Sequence, residues 1–313
     1  MGVHFRPAER ADLPRCVELM RSWGRLDYGD ALCERLPQFW LPLVGHLHHA
    51  FHVLEEDDAA SGPVVRGLAS GVFVEADFIA GELAAPSAGL SRRIIELTLE
   101  GRSPIATRSM LGAAQSGDGV HAVGVDFALE DDNFARPATL RWLPVMLASA
   151  RDWLAGWRIQ SFHREVAGRD MYALAKTTAM PARRLTMPPG SEGRPARPRY
   201  LTGGARADAD SRVGALMWWF FQVGETQFRF TPAQQDLLCL ALRHLPDPAI
   251  AERLGVSPHT VAMRWRTVLT HVSDVRPDLF PPHEPGTPRG SERRSALLAY
   301  LRDRMQELRP RAG

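Results

Sequence analysis

One stretch, residues 230–269, decides how the last third of this chain folds: FTPAQQDLLCLALRHLPDPAIAERLGVSPHTVAMRWRTVL. Thr231 followed by Pro232 is typical of a helix start, and the apolar run from Leu237 to Ala241 predicts that the helix continues. Asp247 followed by Pro248 begins a second, shorter helix. The spacing therefore predicts two helices before residue 255.

A turn and a third helix follow. Gly255 can adopt the positive φ that a tight interhelical turn requires, and Ser257 with Pro258 starts the next helix. Apolar residues along this helix recur every three or four positions, which predicts one buried seam: Val261, Trp265, Val268 and Val272. The opposite face carries His259, Ala262, Met263 and Arg266. A short helix, a glycine turn and a capped helix with a polar face predict a helix-turn-helix.

These residues, above all AIAERLGVSPHTV from Ala249 to Val261, resemble the LuxR/GerE-type DNA-binding domain. The resemblance covers residues 230–272. It implies a transcription regulator that binds double-stranded DNA as a homodimer and places its third helix in the major groove. A helix-turn-helix used only for protein contact is the alternative, since a three-helix fold alone does not prove DNA binding.

The resemblance also implies which residues contact DNA. They are Ser257, His259, Thr260, Ala262, Met263, Arg264 and Arg266. Three positions depart from the family pattern: Ala262 stands where a basic residue is common, Arg264 where histidine is frequent, and Trp265 where a smaller aliphatic residue is usual. Fewer basic contacts lower nonspecific affinity for DNA, because each neutralised phosphate contributes to it.

A further amphipathic helix is predicted from Ser291 to Arg309, with Leu297, Leu301, Met305 and Leu308 on one side. This stripe either packs on its own domain or forms a dimer contact, as the resemblance implies for a fourth helix. The sequence leaves both readings open.

The first half of the chain mixes strands and helices. Strands are predicted at Val3 to Phe5, Phe51 to Glu56, Val64 to Val74 and Gly119 to Leu129, and at Arg158 to Phe162. Helices are predicted from Asp12, from Ala138 to Trp157 and from Asp170 to Ala179. This pattern predicts a mixed α/β (α+β) domain.

The opening FRPAERADLPRCVELM, Phe5 to Met20, resembles GCN5-related acetyltransferases. The resemblance implies that acetyl-CoA pyrophosphate binds a glycine-containing loop that opens the helix after the fourth strand. Here that segment is Glu130 to Pro137; it has no glycine and three adjacent acids. Because those acids would repel a pyrophosphate, the sequence predicts that the protein is not an enzyme and has no cofactor. A PAS- or GAF-like sensor domain shows a similar mixture of elements.

Composition excludes several classes of protein. Lys176 is the only lysine and follows Ala175, so no Walker A loop and no protein-kinase signature set is present. No apolar run of membrane-spanning length and no secretory leader is seen. Cys16, Cys33 and Cys239 are few, odd in number and widely spaced, which favours reduced thiols and a cytoplasmic protein.

Two further clusters are candidates for function. His48 and His52, within the group His46, His48, His49 and His52, could share one face of a helix and chelate a metal. A helix-end surface with partly buried imidazoles is the interpretation that we favour, so we predict no metal site. The apolar run from Leu216 to Phe221 is either core or a ligand or dimer surface.

Thr186 to Ser211 is rich in Pro, Gly and Arg, which predicts a linker. We therefore predict a multidomain chain: an α/β sensory or oligomerisation domain at 1–185, a connecting segment at 186–228 and an all-α helix-turn-helix domain at 229–313. The predicted function is a LuxR/GerE-type transcription regulator whose first domain senses a small-molecule effector or mediates oligomerisation. The alternative is an acetyltransferase-like enzyme that carries a DNA-targeting module.

Overall fold

The computed structural model describes residues 2–26, 28–58, 62–131, 133–134, 136–177, 180–187, 197–210, 216–280 and 289–311. Its strands are β1 Val3–Pro7, β2 Ala50–Asp58, β3 Gly62–Val74, β4 Val120–Leu129, β5 Ile159–Ala167, β6 Ala182–Arg184 and β7 Arg199–Ala205. The helices before β4 are α1 Leu13–Trp23, α2 Gly29–Trp40, α3 Ala76–Ala84, α4 Leu90–Leu99 and α5 Arg108–Ser116. The later helices are α6 Pro137–Leu154, α7 Arg169–Thr177, α8 Arg206–Asp210, α9 Leu216–Phe220, α10 Pro232–Leu242, α11 Asp247–Leu254, α12 Pro258–Val275 and α13 Arg289–Arg302.

One seven-stranded sheet organises the first two thirds of the chain. Its strand order is β1-β2-β3-β4-β5-β7-β6, and every neighbouring pair is antiparallel except β4 and β5, which are parallel. Helices α1 and α4 contact β4, and α6 contacts β1 and β2. The predicted mixed α/β domain is therefore confirmed, and the strands β2 and β3 pair as an antiparallel hairpin.

Strand β7 is a finding that the sequence did not predict. Residues 186–211 were expected to be a linker, yet Arg199–Ala205 lies between β5 and β6 and pairs with both. The local sequence does not reveal this strand because it is held by pairing with β5, some 40 residues away, and not by its own propensity. The predicted domain boundaries at 185 and 228 stay a prediction.

The three helices expected between residues 231 and 272 lie where the sequence predicts them, as α10, α11 and α12. Thr231 and Ser257 each cap a helix by accepting a hydrogen bond from the backbone N–H three residues on, and Gly255 makes the turn at a φ of 63°. The predicted seam is buried. That these helices form a LuxR/GerE-type helix-turn-helix domain is not confirmed and stays a prediction.

The terminal stripe belongs to the molecule's own core. Leu297, Leu301 and Leu308 are fully buried and pack with Leu237, Leu238 and the α12 seam. Of the two readings that the sequence left open, the structure favours intramolecular packing. Phe220 and Phe221 are likewise buried, in a cluster with Phe73 and Trp157, whereas Trp219 is 58% exposed.

The α/β part and the terminal helices are joined by arginines. Arg108 on α5 donates to both carboxylate oxygens of Asp236 on α10, at 2.7 and 2.8 Å. Arg243 donates to the backbone carbonyls of Gly45 and His46 at 3.0 and 2.8 Å. Guanidinium groups carry several donors in a fixed plane, so one side chain satisfies two carbonyls at once.

We predict that Trp265→Ala destabilises the protein by about 3–5 kcal/mol, because Trp265 is buried on the seam and truncation leaves a cavity. Its indole N–H also donates to Asp247 at 3.1 Å, which loses that partner. Thermal and urea unfolding measure the effect. Val275→Ala, at a residue that is 42% exposed at the end of α12, is the control and should change stability by under about 0.5 kcal/mol. Equal effects of the two substitutions would contradict the assignment of Trp265 to the core.

Candidate functional site

Strands β4 and β5 pair over only the first half of β4. Their register runs from Val120 opposite Ile159 to Gly124 opposite Arg164, and β4 then continues without β5 to Leu129. Because the two strands separate inside a continuous sheet, the gap between them has to be filled by side chains or by a ligand. This gap and the loop that follows β4 form the first candidate site.

Arg164 is the last residue of β5 that pairs with β4, opposite Gly124. Its guanidinium carbon lies 4.2 Å from the centre of the Phe127 ring, and burial lowers the pKa of Arg164 to about 10. A cavity of about 70 Å³ lies beside it between the sheet and α6, bordered by Asp126 and Arg164 on the sheet and by Trp153 on α6, among others. That space holds a group of about two or three heavy atoms.

Asp126 is the buried carboxylate at this point. It accepts hydrogen bonds from Tyr28 at 2.9 Å, from the indole of Trp40 at 2.8 Å and from Ser70 at 2.7 Å. Burial raises the pKa of Asp126, while these donors and the positive charge of Arg164 act in the opposite direction. Nothing in the local sequence distinguishes Asp126 from other aspartates, so its role could not be predicted from the chain alone.

The loop after β4 carries less unpaired negative charge than its sequence suggests. Glu130 accepts hydrogen bonds from Arg15 on α1 and from Arg66 on β3, and Asp131 accepts one from Arg136 at 2.8 Å. The backbone N–H of Asn133 and the guanidinium group of Arg136 both lower the pKa of Asp131. The third acid of the run, residue 132, is outside the described residues. Two of the acids that argued against pyrophosphate binding are therefore neutralised by arginines.

Helix α6 begins at the end of this loop. Arg136 occupies the N-cap position and its side chain makes no capping hydrogen bond, so the backbone N–H groups of the first turn have no side-chain partner at the cap. Two arginine side chains stand at this end of the helix, Arg136 with 65% and Arg141 with 55% of the side chain exposed. Arg136 is paired with Asp131 at 2.8 Å and Arg141 with Glu56 at 3.4 Å, so each guanidinium has only part of its donors left for a further anion. The helix dipole favours an anion here.

The outward face of α12 is the second candidate site. Of the seven residues predicted to contact DNA, Ser257, His259, Ala262, Met263 and Arg266 are exposed, and Thr260 and Arg264 are half-buried. They lie together because Val261, Trp265 and Val268 anchor the other face of the helix. Their contact with DNA stays a prediction.

Trp265 departs from the family pattern for a structural reason. The indole N–H of Trp265 donates to the carboxylate of Asp247, which also accepts a hydrogen bond from Arg294 on α13 at 2.9 Å. The guanidinium group of Arg294 lies 4.6 Å from the centre of the indole ring. The large side chain thus ties α11, α12 and α13 together.

The four clustered histidines do not share a helix. His46, His48 and His49 lie in a turn and His52 on β2, so neither the helix end expected here nor the helix face on which His48 and His52 could have chelated a metal is present. His46 Nδ1 accepts from the backbone N–H of His48 and of His49, both at 3.1 Å, which stabilises the turn. Within the described ranges, no three His, Cys, Asp or Glu side chains are grouped as they would be around a metal ion.

Similar solved structures are acetyltransferases that match the N-terminal part of the chain. NAA60 of Arabidopsis thaliana in complex with acetyl-CoA has a TM-score of 0.39 and 14% identity, over 65% of this chain and 98% of that one. An N-acetyltransferase of Staphylococcus aureus Mu50 has a TM-score of 0.38 and 9% identity, over 66% and 99%. No protein-family model and no curated protein sequence matches the chain. Among the described residues, no helix has the length and apolar character that crossing a membrane requires.

These neighbours correct one expectation and agree with another. The prediction that the protein is not an enzyme is contradicted by the acetyltransferases among them. The acetyltransferase resemblance of Phe5 to Met20 agrees with them. They contain no evidence for a LuxR/GerE domain, so that resemblance stays a prediction.

Three buried histidines, His48, His49 and His52, predict how the stability of the protein depends on pH. Burial is the main cause that lowers the pKa of His48 to about 2, of His49 to about 3 and of His52 to about 4. As pH falls below about 6.5, the unfolded chain binds protons at these positions and the folded protein does not, so stability is lost. Between pH 7.5 and pH 5, each such histidine lowers the free energy of unfolding by about 2 kcal/mol.

Thermal unfolding at the two pH values tests this dependence. His48→Gln should reduce the loss of stability between pH 7.5 and pH 5. His259→Gln, at an exposed position on α12, is the control and should leave the pH dependence unchanged. A pH dependence that is identical in wild type and His48→Gln would rule out a contribution from this buried imidazole.

Proposed function

We propose that the protein is an acetyl-CoA-dependent acyltransferase whose C-terminal helices bind double-stranded DNA. The observation that carries the enzymatic part is the uncapped N-terminus of α6, with Arg136 and Arg141 beside it, directly after the fourth strand. The acetyltransferase resemblance places the cofactor pyrophosphate at this position. Backbone N–H groups and guanidinium groups are the donors that phosphate oxygens accept.

The gap between β4 and β5 suits the other end of that cofactor. A cofactor whose pyrophosphate lies at α6 has its thioester end free to enter the sheet where the two strands separate. The cavity of about 70 Å³ beside Asp126 and Arg164 has the size of an acetyl group. If the thioester were bound beside it, the cation of Arg164 would stabilise negative charge on the thioester oxygen during acyl transfer.

The absence of glycine from the loop restricts how closely a phosphate approaches the backbone. A glycine-containing loop lets the pyrophosphate contact several N–H groups directly, whereas Pro137 at the first helical position offers none. We therefore expect arginine side chains to supply more of the binding energy here than in the family pattern.

DNA binding is the second part of the proposal, and the exposed face of α12 favours it. A helix with a capped N-terminus, a buried apolar seam and a surface that carries His259, Met263 and Arg266 has the shape to enter a major groove. From Arg229 to the end of the chain, 13 arginines stand against 9 acidic residues, and positive charge strengthens contact with phosphates.

A homodimer would supply a second reading helix. One α12 carries few basic residues, and two linked copies bind more tightly through effective concentration. Since Leu297 and Leu301 are buried in the core of their own chain, a dimer contact has to involve another surface. The exposed Trp219 on α9 is the strongest apolar candidate.

Millimolar acetyl-CoA should raise the melting temperature of the full chain, because a ligand of the native state stabilises it by mass action, by about 2.7 kcal/mol at one hundred times its Kd. Arg136→Glu should reduce this shift. Arg102→Glu, at an exposed arginine on the loop after α4, is the matched control and should preserve it. A melting temperature that does not respond to acetyl-CoA would exclude the enzymatic part.

Arg266→Ala should weaken binding to DNA fragments selected from genomic DNA by the wild type. A guanidinium at this position reaches a guanine edge or a phosphate, which is worth about 1–3 kcal/mol when the contact to the base is bidentate. Gel-shift titrations measure the change, with Arg102→Ala as control. If Arg266→Ala binds like the wild type, α12 is not the helix in the groove.

A further inference from the structure

A cavity of about 670 Å³ lies where the α/β part of the chain meets the terminal helices. The end of β1, the residues after it and the turn at Gly45 form one side, and residues of α10 and α11 form the other. Pro7 borders the cavity, whereas Val3, at the other end of β1, pairs with Glu56, the partner of Arg141 on α6. The cavity is therefore separated from that contact by about 13 Å along the strand.

Four arginines border this cavity, and one of them is already paired. Arg6 donates to Asp12 at 2.8 Å and to Glu55 at 2.6 Å, so acids compensate its charge. Arg10 and Arg253 are exposed, and within the described ranges their guanidinium groups make no hydrogen bond and no ion pair. These two side chains are therefore open to an anion that enters from solvent.

Arg243, the fourth arginine, stabilises the turn without losing its charge. Its two hydrogen bonds go to the carbonyls of Gly45 and His46, which are neutral, so further N–H donors of this guanidinium remain. Arg253 reaches the same turn, since a Cβ at Gly45 would collide with its Nη2 atom. Burial lowers the pKa of Arg243, and the like charge of Arg253 acts in the same direction. An anion between the two guanidinium groups would offset this repulsion.

The net charge of the cavity favours a dianion. Arg10, Arg243 and Arg253 carry three uncompensated positive charges, and Glu9 is the one carboxylate among the described residues that border the cavity, so two positive charges remain. A phosphate monoester carries a charge of about −2 near pH 7 and offers three acceptor oxygens. A carboxylate carries only one charge, so the phosphate group is the better match. Guanidinium groups also bind phosphate oxygens in pairs through their planar donors.

Apolar side chains line another part of the cavity. Leu41 and Val44 border it from the residues after α2, and Leu245 borders it from the residues after α10. Leu41 is 41% exposed, so the organic part of a ligand can reach it. The cavity volume of about 670 Å³ lies within the range of about 300–1,000 Å³ found for sites that bind small organic molecules. The cavity therefore has room for more than a phosphate group.

We propose that this cavity binds a small organic molecule that carries a phosphate monoester, with the phosphate held by Arg10, Arg243 and Arg253 and the organic part against the apolar side chains. Such a ligand bonds to both parts of the chain, because Arg10 lies just after β1 and Arg253 lies on α11. It therefore stabilises the contact between α11 and the α/β part. The site depends on neither the acetyl-CoA nor the DNA proposal, and it gives the chain a place for a small-molecule effector.

Phenyl phosphate is the probe that tests the proposal. Phenol lacks the charged group and inorganic phosphate lacks the organic part, so these two serve as matched compounds. Isothermal titration of the full chain at constant ionic strength should show one phenyl phosphate site and no detectable binding of phenol. Inorganic phosphate should bind at least about tenfold more weakly than phenyl phosphate, because it buries no apolar surface.

Two variants test the arginines directly. Arg10→Gln and Arg253→Gln should each weaken phenyl phosphate binding at least about tenfold, because each removes charge-assisted hydrogen bonds to the phosphate. Both side chains are exposed, so these substitutions preserve the fold. Arg35→Gln is the matched control and should leave binding unchanged. Arg35 is exposed on α2, makes no ion pair within the part of the chain that the structure describes and does not border the cavity.

The proposal is overturned if millimolar phenyl phosphate does not bind, or if Arg253→Gln and Arg35→Gln bind it with equal affinity. Equal affinities for phenyl phosphate and inorganic phosphate would overturn the assignment of an organic ligand. Displacement of phenyl phosphate by acetyl-CoA or by the selected DNA fragments would make the cavity part of one of those binding surfaces, which contradicts a separate site.

Discussion

The buried carboxylate of Asp126 is the constraint on which the arrangement of the sheet depends. A carboxylate removed from water has to be satisfied by donors, and here they come from Tyr28 and Trp40 at the two ends of α2 and from Ser70 on β3. Removal of one donor would leave the others holding a less compensated buried charge. The same carboxylate attracts Arg164, which stands where the pairing of β4 and β5 ends. The position of α2 and the shape of the gap are therefore set by one group.

Arginines join this sheet to the terminal helices through backbone carbonyls. Arg243 binds the turn at Gly45 and His46, and Arg309, after α13, donates to the carbonyl of Ala155 at 2.9 Å after the end of α6. Arg309 is buried, and burial lowers its pKa to about 10, so the ion keeps its charge at neutral pH. Because these contacts tie the terminal helices to α6 and to the turn at Gly45 and His46, the two proposed binding surfaces, on α12 and at α6, belong to one packed unit.

The sequence predicted those elements whose evidence is local. The α12 seam repeats within one helix, and the caps at Thr231 and Ser257 depend on residues three positions apart, so both could be read from the chain. The partners of Glu130 could not be predicted from the chain, since Arg15 and Arg66 lie 115 and 64 residues away in the sequence. Strand β7 was missed for the same reason: pairing and burial across distant segments leave no periodic trace.

Glycine explains how closely β5 and β7 approach each other at His163. In the antiparallel pairing of β5 and β7, Gly203 stands opposite His163 at a φ of 118°, and a Cβ there would lie 2.0 Å from the carbonyl oxygen of Phe162. Gly204 follows, and a Cβ there would lie 2.7 Å from the Asp208 carboxylate. A larger residue at position 203 would therefore force β5 and β7 apart. The tight backbone contact between these two strands thus depends on the absence of a side chain at position 203.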